Sequence, residues 1–78
     1  MISPRVARSL EIISHLGHAW RGEITHVPFN TAHALLNHLV EAGLLTAEFG
    51  RLYRGARRKY YSLTPAGLAA LRLYNDAQ

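Results

Sequence analysis

The feature that most constrains the fold of this chain is one helical pattern that gives way at once to strand patterns. The segment from Asn30 to Ala42 has apolar residues at helical spacing, and Gly43 follows it as a stop signal. At about 100° per residue, these apolar residues fall on one side of the helix: Ala32, Leu35, Leu36, Leu39 and Val40. We therefore predict a helix over residues 30–42, with Asn30 as its N-cap and this side packed on a core.

The opposite side of this helix is polar or small and is predicted to face outward. It carries Thr31, His33, Ala34, Asn37, His38 and Glu41.

Two strand patterns follow the helix. Leu45 to Tyr53 and Arg58 to Thr64 are rich in aromatic and β-forming residues, and Gly55 gives backbone freedom to the connection at 54–57. Alternation places a single set of side chains on the face that covers the helices: Leu45, Ala47 and Phe49 from the first strand, and Tyr61 and Leu63 from the second. The pattern predicts a β-hairpin.

Helices are predicted at both ends of the chain. Ser3-Pro4 and Thr64-Pro65 each combine an N-cap residue with a proline at the first helical position, and Gly17 is placed to end the first helix. We expect Leu68 and Leu71 to form the contact line of the last helix. Between Gly17 and the central helix, His18 to Phe29 is predicted to form a short second helix, with Trp20 and Phe29 as core anchors.

The predicted fold class is α+β, mainly α with a small β-hairpin, in one domain spanning residues 1–78. Its order is helix, short helix, helix, hairpin, helix.

Positive charge is concentrated on the hairpin. The chain has nine lysines and arginines and a formal net charge of +4, and five of the nine lie between residues 51 and 59, where no acid occurs: Arg51, Arg54, Arg57, Arg58 and Lys59. Such a cluster favours a polyanionic partner.

A helix with a polar outer face beside a basic hairpin fits double-stranded DNA. The major groove admits a helix, and a flanking hairpin can reach phosphates or the minor groove. We predict that the helix contacts DNA through Asn30, Thr31, His33, Ala34, Asn37 and His38, and that the five basic hairpin residues form a wing. Asn37 is the candidate for a paired contact to adenine, and Ala34 allows close approach.

Two segments resemble winged helix-turn-helix transcription regulators of the PadR-like or MarR-like kind. Residues 37–45, Asn-His-Leu-Val-Glu-Ala-Gly-Leu-Leu, resemble the end of the recognition helix, and residues 59–67 resemble the second wing strand and the start of the next helix. The resemblance covers roughly residues 28–71 and implies a homodimeric regulator whose recognition helix and wing contact DNA. His18 to Val27 depart from the longer second helix of those proteins.

Other classes of function find little support in the composition. The chain has no cysteine and few acids, and its serines lie in no nucleophile motif. His15 with His18 and His33 with His38 are close in sequence, but neither pair has the i, i+4 spacing of a helical metal site. We expect no catalysis, metal or cofactor, no membrane association, and a cytoplasmic location.

Apolar residues in the terminal helices are left outside the predicted contact lines: Ile12, Ala69 and Leu73. We interpret them as a homodimer interface, because so small a domain gains from sharing its core with a second copy. With no residues left for a sensor domain, regulation is expected through abundance, a regulatory protein partner or a competing protein.

Two alternatives remain open from the sequence. The same helices could serve a winged-helix protein-interaction module, such as an anti-repressor or assembly factor. Tyr53 and Tyr60, which lie among the cations, could instead stack on bases of RNA or single-stranded DNA.

Overall fold

The described residues form three α-helices, a short 3₁₀ turn and a three-stranded antiparallel sheet. The computed structural model describes residues 1–53 and 55–78, with the backbone alone at residues 51–53 and 56. The elements in chain order are helix α1 (Pro4–Leu16), strand β1 (Ala19–Trp20), a 3₁₀ turn (Arg21–Glu23), helix α2 (Phe29–Glu41), strands β2 (Leu45–Tyr53) and β3 (Ala56–Leu63), and helix α3 (Pro65–Asp76). The strand order is β1-β3-β2. The predicted α+β class is confirmed.

The first and last helices begin where the sequence predicts. The Ser3 hydroxyl accepts a hydrogen bond from the Val6 N–H at 3.2 Å, and the Thr64 hydroxyl accepts one from the Gly67 N–H at 3.0 Å. Both hydroxyls satisfy first-turn donors that the helix itself leaves without a partner. Gly17 follows α1 with a φ of 83°, a conformation in which glycine avoids the strain that a side chain would impose.

Helix α2 begins earlier than predicted. Pro28 occupies the N-cap position, and its carbonyl accepts the first helical bond from the Ala32 N–H at 2.8 Å. Asn30 is therefore the second helical residue, and its assignment as the N-cap was wrong. The proline ring fixes φ at this position, and no side chain caps the helix there.

The predicted end of α2 is confirmed by a Schellman motif. Gly43 has a φ of 80°, its N–H donates to the Val40 carbonyl, and the Leu44 N–H donates to the Leu39 carbonyl, both at 3.0 Å. These two bonds satisfy carbonyls at the end of the helix.

The segment between α1 and α2 is not the short α-helix that we predicted. Ala19 and Trp20 pair with Tyr61 and Tyr60 as a third strand, and a 3₁₀ turn follows directly. The Glu23 carboxylate accepts a hydrogen bond from the Trp20 N–H at 3.1 Å, which closes the turn back on the strand. Pairing with β3 satisfies the backbone here, and so outweighs the helical spacing of the apolar residues.

A buried polar contact ties the loop before α2 to helix α1. Ser9 is fully buried and donates from its hydroxyl to the Arg5 carbonyl at 3.1 Å. The His26 Nε2 lies 3.2 Å from that hydroxyl and 3.3 Å from the same carbonyl. These contacts hold the loop against α1 by polar groups as well as by apolar packing.

The hairpin of β2 and β3 is longer than predicted at its tip. Strand β3 begins at Ala56, which pairs with Tyr53, rather than at Arg58. Gly55, with a φ of 79°, lies in the tight turn between the strands. The register shifts between Phe49 and Leu52, which marks a bulge in β2.

The core lies between the helices and one face of the sheet. It contains the predicted inward side of α2 and the inward residues of both hairpin strands, together with residues of every other helix and strand. The buried apolar residues are Ala7, Leu10, Ile13, Ala19, Ile24, Val27, Ala32, Leu36, Leu39, Leu45, Tyr61 and Leu71. Phe49, predicted to share this face, is instead 66% exposed, because it lies two residues nearer the tip than Ala47, which pairs with Tyr61 and still packs on the core.

Strand β3 and helix α3 are joined to the end of α2 around Leu44. The Leu44 carbonyl accepts from the Thr64 N–H at 3.1 Å, and the Thr64 hydroxyl donates to the Gly43 carbonyl at 2.6 Å. A Cβ atom at Gly67 would collide with the Leu44 carbonyl oxygen. Only glycine allows the first turn of α3 to approach this closely.

No helix in the described part of the chain has the length and apolar character needed to cross a membrane.

We predict that Gly67→Ala destabilises the protein by about 1–3 kcal/mol, the usual cost of overpacking a close contact. Helix propensity alone predicts the opposite sign, since alanine is favoured over glycine by about 1 kcal/mol inside a helix. The measurement is the free energy of urea unfolding, with Ala66→Gly on the same turn to calibrate the propensity. A Gly67→Ala variant more stable than the parent would contradict the close approach.

Candidate nucleic-acid interface

The outward side of helix α2 is as polar and open as predicted. His33, Ala34 and His38 are exposed, and Thr31 and Asn37 are half-buried. Asn30 is exposed in the first turn, one position inside the helix start. All six side chains predicted to contact DNA are thus on a helix whose other side is held in the core.

A hydrogen bond orients the central polar residue of this face. The Asn37 Nδ2 lies 3.2 Å from the His33 Nε2, one turn earlier on the helix. An amide nitrogen carries two hydrogens, so a bond to His33 leaves one hydrogen and the amide oxygen for another partner. A paired contact to adenine uses one donor and one acceptor of this kind.

Three of the five basic residues predicted to form the wing lie on strand β3. Arg57 and Lys59 are exposed, and Arg58 is half-buried. Arg51 lies near the end of β2, and only its backbone is described. Arg54 lies outside the described residues.

Aromatic rings hold two of these cations close to the sheet. The Arg58 guanidinium carbon lies 3.8 Å from the centroid of the Trp20 ring, and the Lys59 Nζ lies 5.9 Å from that of Tyr61. Trp20 in turn lies against Gly22, where a Cβ atom would collide with the indole. Trp20 is half-buried between these contacts and lies outside the apolar core, so its assignment as a core anchor was wrong.

A groove separates the outward side of α2 from the wing. It has a volume of about 270 Å³ and is lined by Trp20, Arg21, His33, Arg57, Arg58, Lys59 and Tyr61. Four of these seven residues are lysine or arginine, and none is an acid. The structure thus brings one residue of the predicted recognition helix together with three residues of the predicted wing.

Arg21 is the member of this groove that sequence reasoning missed. It lies in the 3₁₀ turn, and its guanidinium carbon is 3.8 Å from the centroid of the Phe29 ring. Phe29 is 52% exposed, so its assignment as a core anchor was wrong. The sequence did place a cation, Arg21, and an aromatic residue, Phe29, in the segment 18–29. Their contact was not predicted because this segment was predicted to be a helix.

The Tyr61 hydroxyl does not contribute negative charge to the groove. Burial raises the pKa of Tyr61 above its ordinary value, and the charge of Arg21 lowers it by a smaller amount. The hydroxyl consequently stays protonated at neutral pH, and the charge of the groove comes from its cations.

Tyr60 lines a different cavity, together with His18, Glu48, Phe49, Gly50 and Ser62. Its ring meets the His18 ring edge-on, with 5.0 Å between centroids, and lies so close to Gly50 that a Cβ atom there would collide with it. With both contacts in place, the ring is half-buried.

The residues predicted to form a dimer interface differ in exposure. Ile12 is half-buried and packs against the core, whereas Ala69 is exposed and Leu73 is 60% exposed. Leu16 at the end of α1 is also exposed. The two terminal helices contact each other, so these residues occupy neighbouring elements.

Within residues 1–53 and 55–78, no three histidines, aspartates or glutamates are placed to hold a metal ion.

Comparison by sequence finds no relative: no family model matches the chain, and no curated protein matches it.

Comparison by structure finds winged-helix transcription regulators. A PadR family regulator from Clostridium difficile R20291 superposes with a TM-score of 0.83 at 19% identity, over 96% of this chain and 86% of that one. A PadR-like regulator from Bacillus cereus superposes with a TM-score of 0.78 at 23% identity, over 92% of this chain and 78% of that one.

Longer regulators contain the same fold. Bacillus subtilis PadR, solved in complex with operator DNA, superposes with a TM-score of 0.78 at 18% identity, over 90% of this chain and 45% of that one. A mutant MarR from Escherichia coli superposes with a TM-score of 0.80 at 17% identity, over 92% of this chain and 54% of that one. The predicted winged-helix fold is confirmed, and the structural neighbours come from the two families that the sequence resembles.

Proposed function

We propose that this protein is a sequence-specific double-stranded DNA-binding protein that acts as a dimeric transcription regulator. The observation that carries the proposal is the groove in which His33 of α2 faces Arg57, Arg58 and Lys59 of the wing. A helix with an exposed polar side and a basic hairpin therefore border the same surface. Double-stranded DNA offers its major groove to the helix and its phosphates to the hairpin.

In the proposed complex, helix α2 lies in the major groove and is the recognition helix. His33, Ala34, Asn37 and His38 face the base edges, and Asn30 and Thr31 lie at the end of the helix nearest the backbone. The wing crosses the phosphates or inserts an arginine into the minor groove. The structural neighbours support this arrangement through a shared fold, and one of them was solved with its operator DNA.

The exposed apolar residues of α1 and α3 are proposed to form the homodimer interface, with Ala69 and Leu73 at its centre and Ile12 at its margin. A two-fold axis would then place two recognition helices on half-sites about one helical turn apart, or a multiple of that, which predicts a palindromic operator.

The proposal as a whole is tested by footprinting on genomic fragments with duplex, single-stranded and RNA competitors. A protected, shared motif that only duplex DNA competes for is the expected result. Binding that ignores sequence, or that prefers unpaired bases, would reject it. A stable complex with another protein, in the absence of any DNA affinity, would favour a protein-interaction module instead.

We expect the double variant Arg57→Ala, Arg58→Ala to weaken binding to every duplex and to lower its salt dependence. Each lost phosphate contact reduces the slope of log K against log salt by about 0.9, so the slope falls by up to about 1.8. The measurement is a fluorescence anisotropy titration at several salt concentrations. An unchanged slope would exclude a phosphate-binding role for these residues.

Asn37→Ala should relax specificity while leaving the salt slope unchanged. The loss of a paired contact to one base removes about 1–3 kcal/mol of discrimination at that base pair. The measurement is the affinity for a duplex that carries the protected motif and for single-base variants of that duplex. His38→Ala, one position along the same face, is the comparison. Equal discrimination by parent and Asn37→Ala at every position would contradict the assignment.

Leu73→Asp is expected to shift the protein from dimer to monomer, because it places a charge in an apolar interface. Leu73 is largely exposed in a single copy, so the fold itself should persist. Sedimentation equilibrium measures the shift, and Asn75→Asp on the same helix controls for the added charge. A parent protein that stays monomeric at all concentrations would refute the interface.

A further inference from the structure

One arginine that lines the groove, Arg21, does not belong to the basic cluster of the hairpin. Arg21 comes from the 3₁₀ turn, 36 residues before Arg57 in the sequence, yet it lines the same groove as Arg57, Arg58 and Lys59. Its guanidinium lies over the ring of Phe29, the first residue of α2. The fold therefore adds a cation from the α1–α2 connection to those of the wing.

The contact with Phe29 explains an exposed aromatic ring at the start of the recognition helix. Phe29 leaves half of its surface open and is absent from the core, while the guanidinium stacks at 3.8 Å from its centroid. A ring in this position restrains the arginine side chain before any ligand arrives. Stacking also uses the flat face of the guanidinium, and leaves its in-plane N–H groups directed away from the ring.

In-plane guanidinium donors match the oxygens of a phosphate diester. Two parallel N–H bonds to one phosphate give both affinity and a fixed geometry. The groove lining contains a second cation, Lys59, which is exposed on β3 with its Nζ 5.9 Å from the Tyr61 ring centroid. It contains no carboxylate that would compete with a phosphate.

We propose that Arg21 and Lys59 bind one backbone phosphate of duplex DNA in this groove, with Phe29 as the positioning residue for Arg21. The assignment rests on the proposed function, since it takes the ligand to be the strand that passes between the recognition helix and the wing. It adds a contact from the connection before α2, where the protein has a 3₁₀ turn and a strand in place of a second α-helix.

The first experiment is a salt titration of Arg21→Ala with a short duplex recovered by in vitro selection. Affinity should fall roughly three- to tenfold at low salt, and the slope of log K against log salt should fall by up to about 0.9, the value for complete loss of one phosphate contact, because Lys59 still lies beside that phosphate. Arg72→Ala is the matched control, because it removes the same charge from an exposed position on α3. Circular dichroism and thermal unfolding establish that each variant is folded.

The second experiment locates the phosphate. Neutral methylphosphonate is placed at each backbone position of the selected duplex in turn, and binding is measured for the parent and for Arg21→Ala. At one phosphate per half-site the two changes should be non-additive, because the substitution and the variant remove the same contact. Lys59→Ala should show coupling at that same phosphate, and Arg72→Ala at none.

The third experiment separates the role of Phe29 from direct contact with DNA. Phe29→Leu keeps an apolar side chain and removes the ring. Affinity should fall about two- to fivefold, because Arg21 loses the ring that holds its guanidinium in position. The salt slope should be unchanged, since both cations remain. In the presence of Arg21→Ala, the same substitution should have no further effect.

The outcomes distinguish this inference from the proposed function. If the parent binds duplex DNA and the wing variant lowers its salt slope, but Arg21→Ala keeps the parental slope and couples to no phosphate, the phosphate site is refuted and the DNA-binding function stands. If the parent shows no salt-dependent affinity for duplex DNA, both fail. A fully additive effect of Phe29→Leu and Arg21→Ala would refute the positioning role.

Discussion

The contacts around Leu44 join helix α2, strand β3 and helix α3, and in the proposed complex they hold the recognition helix and the wing at a fixed angle to each other. The Leu44 N–H closes helix α2, and its carbonyl receives the Thr64 N–H at the end of β3. The first turn of α3 then fits over that carbonyl because Gly67 has no side chain. Three elements thus share one residue, and the groove between α2 and the wing depends on their arrangement.

Much of this arrangement could be predicted from local sequence patterns. Ser3, Thr64, Gly17 and Gly43 act at single positions by hydrogen bonding or backbone freedom, so the ends of the helices that they mark were predicted almost to the residue. The apolar side of α2 was equally clear, because a period of 3.6 residues determines which side chains lie inward. These features depend on neighbours in the sequence and need no knowledge of tertiary contacts.

The segment between α1 and α2 shows where such reasoning fails. Ala19 and Trp20 form a strand because β3 supplies their partners from some forty residues further along the chain. A two-residue strand has no alternation to recognise, and the spacing of Trp20, Ile24 and Val27 suits a helix equally well. The prediction of the groove was incomplete for the same reason. Its wing residues follow from charge clustering, whereas Arg21 lies in the turn after β1, and the sequence pattern did not indicate that strand or turn.

The contact of Ser9 with His26 has a mechanical consequence for recognition. Helix α2 is held at its front by a loop fastened to α1, and at its rear by the bonds that join Gly43 and Leu44 to Thr64. Contacts at both ends of α2 oppose rotation of the helix about its own axis, so its outward side chains keep one common orientation.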